Sequence, residues 1–376
     1  MKIGILTFHC AHNYGAVLQT YALVTYLRKN NYDAEIIDYR PKSLTMSHGI
    51  MPWRRISRLN IIRKVIFVLR ILPFLTVRKE RSDKFQSFID SLPLSTRKYT
   101  ETDSEVTGYD IIICGSDQVW NPSITNGFDK FFCGSVSHKG KFISYAASTE
   151  AKRIISDDYK KYKEVLSNFE NISVRESELK NILQPLINKE ITKVIDPVFL
   201  LSANEWQKVA IKPTFTDKPY LLVYQVKRDD RVLDMANKYA ALHHMSVVEV
   251  TAEAEYKKMK NRILTASPFE FVGLFANASC VVTTSFHGTA FSIIFNKPFK
   301  TVLFNAPGDG RALDVMNTFG IENSTVNVDS GDIQEMSLNT PNLDIIVRTS
   351  ETFIKQAIQR LSLIHISEPT RLQLIS

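Results

Sequence analysis

A histidine between a predicted strand and a predicted helix is the first candidate for chemistry. The apolar residues Cys280–Val282 predict a buried strand, and Gly288 and Thr289 begin a stretch with helical spacing. Ser285 and His287 therefore lie at the carboxyl end of that strand. Free N–H groups at a helix start can hold a phosphate, and histidine exchanges protons near neutral pH. His287 is thus either catalytic or structural; a serine hydrolase is excluded because the sequence lacks a G-x-S-x-G elbow.

Polar residues also follow the first predicted strand, in the segment TFHCAHNYGAVLQ. His12 and Asn13 lie in a loop and Gly15 begins a helix, so an anion could bind there. The group His-Cys-x-His is cramped and lacks a distant partner pair, so no metal is expected. The alternatives are a ligand-contacting loop and a purely structural one.

A third strand end carries the segment CGSDQVWNP, which follows the apolar run Ile111–Cys114. Gly115 permits a tight turn, and Ser116, Asp117 and Gln118 place polar groups beyond it. Asp117 and Gln118 could bind sugar hydroxyls, or Asp117 could act as a base. A turn with an Asx cap explains the same residues equally well.

Arg175, in the segment SVRESE, follows a short predicted strand and precedes a helix. Arginine suits the bidentate recognition of carboxylate or phosphate. The alternative is an ion pair with Glu176 or Glu178 on the helix surface.

Composition indicates an ordinary globular protein and gives no sign of a membrane-spanning segment. The chain has 376 residues, of which 44% are hydrophobic and 23% charged, and this length favours two domains. The four cysteines are widely spaced without a CxxC pair, which predicts reduced thiols in a cytoplasmic protein. The N-terminal residues predict a strand rather than a signal peptide, and the sequence has no apolar stretch of 18 residues.

The net charge of +8 is concentrated in one segment, Trp53–Arg81, which holds nine Arg or Lys residues and one Glu. Apolar residues recur in it at steps of three and four, which predicts a basic amphipathic helix. Such a helix could lie on anionic lipid, or it could pack its apolar side on the domain. Nucleic acid is not expected as a partner, because no aromatic platform or reader motif accompanies the charge.

Strands and helices alternate along the chain, which predicts an α/β protein built from βαβ units. The pattern begins again after a boundary near 202–218, giving two doubly wound, Rossmann-like halves at residues 1–201 and 202–360. The basic segment near 53–81 is an insertion in the first half. Ligands bind beyond the carboxyl ends of the strands in such folds. Residues 362–376 fit no pattern and are expected to be a non-native or disordered tail.

Five segments, taken in order, resemble the polysaccharide pyruvyl transferase family: HNYGAVLQTYAL, GSDQVWNP, SVRE, IDPVFLL and SFHGTAFSIIFNKPF. The resemblance covers roughly residues 1 to 330. It implies a fold similar to GT-B glycosyltransferases, with two Rossmann-like halves facing a cleft. It also implies transfer of a pyruvyl group from phosphoenolpyruvate, a co-substrate, to a sugar as a ketal, with no metal or other cofactor.

The resemblance assigns roles to individual residues. His287 matches the family's histidine and is expected to be the acid/base, and Arg175 matches a donor-contacting arginine. The family commonly carries Arg-Leu-His where this chain has Ser285-Phe286-His287, so Arg311 or Lys297 could supply the missing cation. Ser285, Gly288 and Thr289 are expected near the donor, and the loops His12–Gly15 and Gly115–Gln118 near donor or acceptor.

The resemblance further implies a saccharide acceptor on a lipid carrier, at the inner face of the cell membrane, where the basic segment would make a peripheral contact. Two other functions stay open. One is a GT-B glycosyltransferase that uses a nucleotide sugar, although the second half shows no acidic ribose clamp. The other is a non-catalytic glycan-binding relative, which the serine at position 285 keeps open.

Overall fold

The computed structural model describes residues 1–48, 50–51, 53–57, 59–214, 218–226, 228–252, 261–337 and 342–367. Its first sheet contains seven parallel strands in the order β3-β2-β1-β4-β5-β6-β7. The order runs outward from β1 in both directions, which is the doubly wound topology. These strands are β1 (Lys2–Leu6), β2 (Asp33–Tyr39), β3 (Leu94–Tyr99), β4 (Ile111–Cys114), β5 (Lys141–Ala147), β6 (Asn171–Val174) and β7 (Ile191–Lys193).

The second sheet contains six parallel strands in the order β10-β9-β8-β11-β12-β13. It is again wound outward from its first strand, β8. The prediction of two doubly wound, Rossmann-like α/β halves is therefore confirmed. These strands are β8 (Tyr220–Gln225), β9 (Ser246–Thr251), β10 (Arg262–Ile263), β11 (Cys280–Thr283), β12 (Phe299–Leu303) and β13 (Thr325–Asn327).

Helices cover the faces of both sheets, because strands buried on both sides need apolar partners above and below. Those within the range of the first sheet are α1 (Tyr14–Lys29), α2 (Lys42–His48), α3 (Trp53–Ser57), α4 (Ile61–Ile71), α5 (Leu75–Asp90), α6 (Pro122–Thr125), α7 (Tyr159–Ser167) and α8 (Ser177–Leu183). Those that follow are α9 (Ala203–Val209), α10 (Asp230–Leu242), α11 (Pro268–Asn277), α12 (Phe286–Ile294), α13 (Gly310–Phe319) and α14 (Leu343–Ser367).

The basic segment is not the single helix that its sequence predicts. It divides into α3, α4 and the first part of α5, because Asn60 caps the start of α4 and Pro73 lies in a short 3₁₀ turn after it. The helix α4 packs only part of its apolar surface on the domain: Ile71 is buried, whereas Ile62 is 72% exposed and Leu69 is 59% exposed. The side chains of Arg54, Arg55 and Arg58 lie outside the described residues.

The two halves share one continuous apolar core rather than meeting at a polar interface. Tyr14 of α1 stacks on Phe271 of α11 with ring centroids 4.3 Å apart, and Tyr21 of α1 contacts Trp206 of α9 at 5.7 Å. The last helix, α14, returns to the first sheet, where Ser350 Oγ accepts a hydrogen bond from the backbone N–H of Ile195. The proposed boundary at 202 stays a prediction.

The structure extends α14 into the stretch that was expected to be a tail. The helix continues to Ser367, since the sequence contains no proline before Pro369 to end it. Residues 368–376, the rest of that stretch, lie outside the described residues.

One buried arginine joins the insertion to the second sheet. Arg81 of α5 donates from Nη1 to the Tyr14 hydroxyl and to the carbonyls of Thr251 and Leu264, and from Nη2 to the carbonyl of Ala252. Its guanidinium also lies 4.7 Å from the centre of the Tyr14 ring. Hydrogen bonds from a charged group contribute about 1.5–3 kcal/mol each, so this contact fixes α5 firmly to the second half.

Candidate functional site

A cavity of about 710 Å³, here called the central cavity, lies between the two halves. The loops after β1, β4, β8, β11 and β12 form its walls, so it is located beyond the carboxyl ends of both sheets, as this fold requires. Its polar and aromatic walls include Asn13, Ser43, Asp117, Gln118, Ser123, Tyr224, Arg228, Asp229, Arg231, Ser285, Phe286, His287, Phe304, Asp309 and Arg311.

His287 lies in the first turn of α12 and faces the central cavity. Ser285 is the N-cap of this helix, and its hydroxyl accepts a hydrogen bond from the backbone N–H of Gly288 at 3.4 Å. The Nε2 atom of His287 has no hydrogen-bond partner and is 3.8 Å from Asp196 Oδ2, too far for a hydrogen bond. The histidine is therefore held by its backbone, and its buried Nε2 has no hydrogen-bond partner among the described residues.

The electrostatic surroundings keep His287 uncharged. The pKa of its imidazole is lowered to about 3, mainly by burial and in smaller part by the positive charges of Arg175 and Arg311, against the opposing effect of Asp117. The ring is thus neutral at physiological pH. A neutral imidazole can accept a proton, and it can donate one only after a bound anion has raised its pKa.

Gly15, at the start of α1, explains how the imidazole fits between the two halves. A Cβ atom at this position would overlap with the Nδ1, Cε1 and Cγ atoms of His287. The ring therefore packs directly on the backbone of α1, and only glycine permits that approach. Gly15 is a positioning residue for the histidine.

Gly15→Ala is expected to reduce transfer by about 10²-fold, because displacing a reacting group by about 1 Å has that effect. The protein should also lose about 1–3 kcal/mol of stability through overpacking. The measurements are the transfer rate and urea unfolding. Gly310→Ala, at the start of α13, is the control, since its Cβ would meet only a carboxylate oxygen of Glu178 at 3.8 Å. Equal activity of the two variants would contradict the role given to Gly15.

Arg311 supplies a positive charge at the same cavity. It is the second residue of α13, its Nε atom is buried without a hydrogen-bond partner, and within the described ranges it makes no ion pair. Burial lowers the pKa of its guanidinium, and the neighbouring Arg175 lowers it further. Arginine nevertheless remains charged at neutral pH. A cation without an ion-pair partner beside a neutral histidine is an arrangement suited to an anionic ligand.

Arg175 is placed differently from what its predicted role requires. It does not line the central cavity but lies behind Phe286, with its guanidinium 4.4 Å from the centre of that ring. Its three nitrogens donate to Glu176 at 2.8 Å, to Asp196 at 2.6 Å and to the Ser148 hydroxyl at 3.2 Å. The predicted alternative, an ion pair with Glu176, is therefore present, but the pair is buried instead of lying on a helix surface.

Asp117 and Gln118 do line the central cavity. Asp117 has a left-handed backbone with φ of 68°, and its Oδ1 accepts a hydrogen bond from the Gln118 N–H at 2.8 Å. Asn13 lines the same cavity and caps α1 by accepting from the N–H of Ala16. These three residues, from two loops of the first half, face His287 from across the cleft.

The other predicted site residues support the walls without lining them. Ser116 is fully buried and donates to the Ala146 carbonyl at 2.8 Å, and Thr289 hydrogen-bonds with Thr301 at 2.8 Å. His12 stacks on Phe85 with ring centroids 5.3 Å apart. The residues in this supporting group are His12, Gly15, Gly115, Ser116, Gly288 and Thr289.

Sequence reasoning missed several residues that line the central cavity, namely Tyr224, Arg228, Asp229, Arg231 and Phe304. It offered Arg311 only as one of two replacement cations; the other, Lys297, does not line the central cavity. A signal was available, because the buried strand Phe299–Leu303 ends in the loop NAPGDG immediately before Arg311. Like the strand ends that were recognised from the sequence, this loop places polar residues directly after a buried strand.

The structure also bears on metals, cysteines and membrane spans. Across the described ranges, His, Cys, Asp and Glu side chains form no group of three or more suited to a metal ion. Cys10, Cys114, Cys133 and Cys280 are buried free thiols. None of the helices in the described part of the chain has the length and apolar character needed to cross a membrane.

The two doubly wound halves and the cleft between them define a protein of GT-B-like fold. The chain belongs to the polysaccharide pyruvyl transferase family, whose sequence model matches residues 13–300, well over half of its length. It is therefore a transferase with a pyruvyl donor and a saccharide acceptor. Among curated proteins, none matches the sequence.

Solved structures similar to the chain are distant from it. The UDP-GlcNAc 2-epimerase of Methanocaldococcus jannaschii, in complex with UDP-GlcNAc and UDP, has a TM-score of 0.48 at 12% identity, covering 94% of this chain and 100% of its own. The Escherichia coli heptosyltransferase WaaC with ADP has a TM-score of 0.41 at 12% identity, with coverage of 95% and 100%. The glycosyltransferase SnogD from Streptomyces nogalater has a TM-score of 0.37 at 11% identity, with coverage of 96% and 99%.

Proposed function

We propose that the pyruvyl donor is phosphoenolpyruvate and that the central cavity transfers its pyruvyl group to two hydroxyls of a saccharide as a ketal. The observation that carries this proposal is the pairing of Arg311, a cation without an ion-pair partner in the described ranges, with His287, a neutral imidazole with a free nitrogen. Phosphoenolpyruvate brings a carboxylate and a phosphate, and arginine binds both groups well.

Binding of the donor changes the charge balance around the histidine. The negative donor offsets the positive charge of Arg311, which is one cause of the low pKa of His287. The pKa of the imidazole then rises, although burial, the largest cause of its low value, still opposes protonation. His287 is therefore assigned as the acid/base of the reaction, a role that suits its burial against the cleft.

The chemical steps balance without any further reactant. A proton is added to the methylene carbon of the donor, and the oxygen of the first sugar hydroxyl bonds to the central carbon. The bond from that carbon to the phosphate oxygen breaks, phosphate leaves, and the second hydroxyl closes the ketal. Of the two hydroxyl protons, one replaces the proton given to the methylene carbon and the other leaves with phosphate. Asp117 and Gln118 lie where they can orient the hydroxyls.

Phosphoenolpyruvate is expected to raise the melting temperature of the protein, since a ligand at about 100 times its Kd adds about 2.7 kcal/mol of stability. The measurement is thermal unfolding with phosphoenolpyruvate and with a panel of nucleotide sugars, followed by phosphate release with a saccharide acceptor. Stabilisation by a nucleotide sugar alone would overturn the proposal in favour of glycosyl transfer. Saccharide binding without phosphate release would indicate a non-catalytic relative.

We further propose that the acceptor is attached to lipid and that α4 holds the protein on an anionic membrane surface. Ile61, Ile62, Val65, Ile66 and Leu69 are each more than half exposed, on a helix that also carries Arg63, Lys64 and Arg70. Burying one such apolar side chain contributes about 1.5–3 kcal/mol, and each basic residue near an anionic surface adds about 1 kcal/mol. This combination is typical of a helix that lies in a membrane interface.

The protein is expected to sediment with vesicles that contain phosphatidylglycerol, and less with phosphatidylcholine alone or at high salt, because part of the attraction is electrostatic. Ile62→Asn/Leu69→Asn should abolish most of the binding. The control is Leu242→Asn, since this leucine is 77% exposed at the end of α10, away from the basic segment. Equal binding of the double variant and the control would contradict the contact.

A further inference from the structure

We propose that a second cavity of about 700 Å³, here called the outer cavity, binds the sugars of the acceptor beyond the one that receives the pyruvyl group. This inference rests on the proposed function. The outer cavity is lined by Tyr39, Lys42, Met46, Asn126, Phe128 and Lys130, among others.

The two cavities are neighbours with common walls. Ser43 of α2 lines both; along the same helix Leu44 faces the central cavity and Met46 the outer one. The α6 segment repeats this arrangement, with Ile124 on the central cavity and Asn126 on the outer one. Since α2 and α6 pack on each other, the two cavities border at Ser43, and a chain-like ligand can cross from one to the other over this residue.

The walls of the outer cavity have the chemistry that sugars need. Phe128 is partly buried and lies at the edge of the outer cavity. An aromatic face packs on the apolar side of a sugar ring. Asn126 is exposed, and its amide forms no hydrogen bond within the described ranges, so it can both donate to and accept from a hydroxyl. The ammonium group of Lys130 likewise has no ion-pair partner among the described residues.

The volumes indicate more than one sugar. Each cavity alone falls within the range of about 300–1,000 Å³ that holds a drug-sized ligand. The central cavity accommodates the donor and the reacting sugar, so the outer cavity is left for the units attached to that sugar.

The outer cavity is also close along the chain to the exposed apolar helix. Ser57, the last residue of α3, lines it, and α4 begins at Ile61. An oligosaccharide carried by a membrane lipid would therefore extend from α4 through the outer cavity to His287.

The experiment uses phosphoenolpyruvate labelled in its pyruvyl group and three acceptor preparations from cells that make the protein. These are the glycolipid extract, the oligosaccharides released from it by mild acid, and the monosaccharides obtained by complete hydrolysis. The test variants are Asn126→Gly/Lys130→Met, which removes two polar contacts, and Met46→Trp, which fills the outer cavity. Glycine keeps the left-handed backbone of Asn126, whose φ is 61°.

The matched control is Asn31→Gly/Lys139→Met. Asn31 is also exposed with a left-handed backbone, at φ of 63°, and Lys139 is exposed, but neither residue lines either cavity. Both test variants are expected to need about tenfold more glycolipid or oligosaccharide for half-maximal transfer, which corresponds to about 1.4 kcal/mol. The KM for phosphoenolpyruvate, the thermal stability, and the poor transfer to monosaccharides should not change.

An unchanged acceptor requirement in both test variants would overturn the inference. So would monosaccharides that accept as well as the oligosaccharides, or the absence of label in all three preparations while phosphoenolpyruvate still stabilises the protein. Failure of the proposed function has a separate signature: the wild-type protein would then be neither stabilised by phosphoenolpyruvate nor able to release phosphate from it.

Discussion

Replacing His287 with glutamine is expected to lower the rate of pyruvyl transfer by about 10²–10⁴-fold, the usual contribution of a general acid–base group. The imidazole faces the central cavity with an unpartnered Nε2, and its backbone position is fixed by the start of α12. Glutamine preserves most of the volume and can form hydrogen bonds, but it cannot exchange a proton. The binding of phosphoenolpyruvate should therefore survive while the chemical step is lost.

The measurement is phosphate release under saturating donor and acceptor, together with the melting temperature. His138→Gln is the matched control, because His138 also has a buried, unpartnered Nε2 and a pKa lowered by burial, but it does not line the central cavity. Full activity of His287→Gln, or equal loss in the two variants, would remove His287 from the reaction.

The same variant has a second readout in acid. Burial lowers the pKa of His287 to about 3, from an ordinary value of 6.5, so the unfolded chain binds a proton that the folded protein excludes. The wild-type protein therefore loses stability as the pH falls from 6.5 towards 3, and this contribution is absent above 6.5. His287→Gln should lose less stability over that window in urea unfolding.

Replacing Arg311 with methionine is expected to weaken the binding of phosphoenolpyruvate by about 10²-fold, since losing one partner of a buried charged contact costs about 2–5 kcal/mol. The ligand-free protein should not be destabilised and should gain stability, because its charge has no ion-pair partner in the described ranges. Loss of affinity without loss of stability distinguishes a ligand-binding arginine from a structural one. Isothermal titration with phosphoenolpyruvate and urea unfolding measure the two quantities.

Arg231→Gln is the control for this prediction, because it removes the same charge from the wall of the same cavity. Arg231 is already paired with Asp229 at 2.8 Å and with Asp329 at 2.9 Å, so its change should affect the affinity little. An equal loss of affinity in both variants would mean that the overall charge of the cavity, and not Arg311, binds the donor. Affinity that is unchanged in Arg311→Met would reject the role of Arg311.

The architecture could be predicted because each buried strand is a short apolar run and each crossover helix has apolar residues at helical spacing. The same rule located Asp117, Gln118, Ser285 and His287, since residues that follow parallel strands meet at one edge of the sheet. Arg175 shows the limit of local reading. Its partner Asp196 lies beyond β7, and only the folded chain reveals that the guanidinium is already occupied.

The exposure of α4 could not be predicted from the sequence either. Amphipathic spacing indicates that a helix has an apolar side, but it does not indicate which surface that side contacts. Ile62 and Leu69 have the spacing of core residues and yet are left uncovered, because the turn at Pro73 separates α4 from α5, whose Phe85 and Ile89 are buried. The exposed side of α4 is therefore not covered by the described part of the chain.

Arg81 determines how substrates can reach the cleft. Separating the two halves would break the hydrogen bonds that this guanidinium donates to Thr251, Ala252 and Leu264, and would expose the apolar core around Tyr14 and Phe271. Moving the two halves apart is therefore costly, and this contact opposes any opening of the cleft as substrates enter and leave. Since Arg81 belongs to the helix that follows α4, it also couples the exposed apolar helix to both halves.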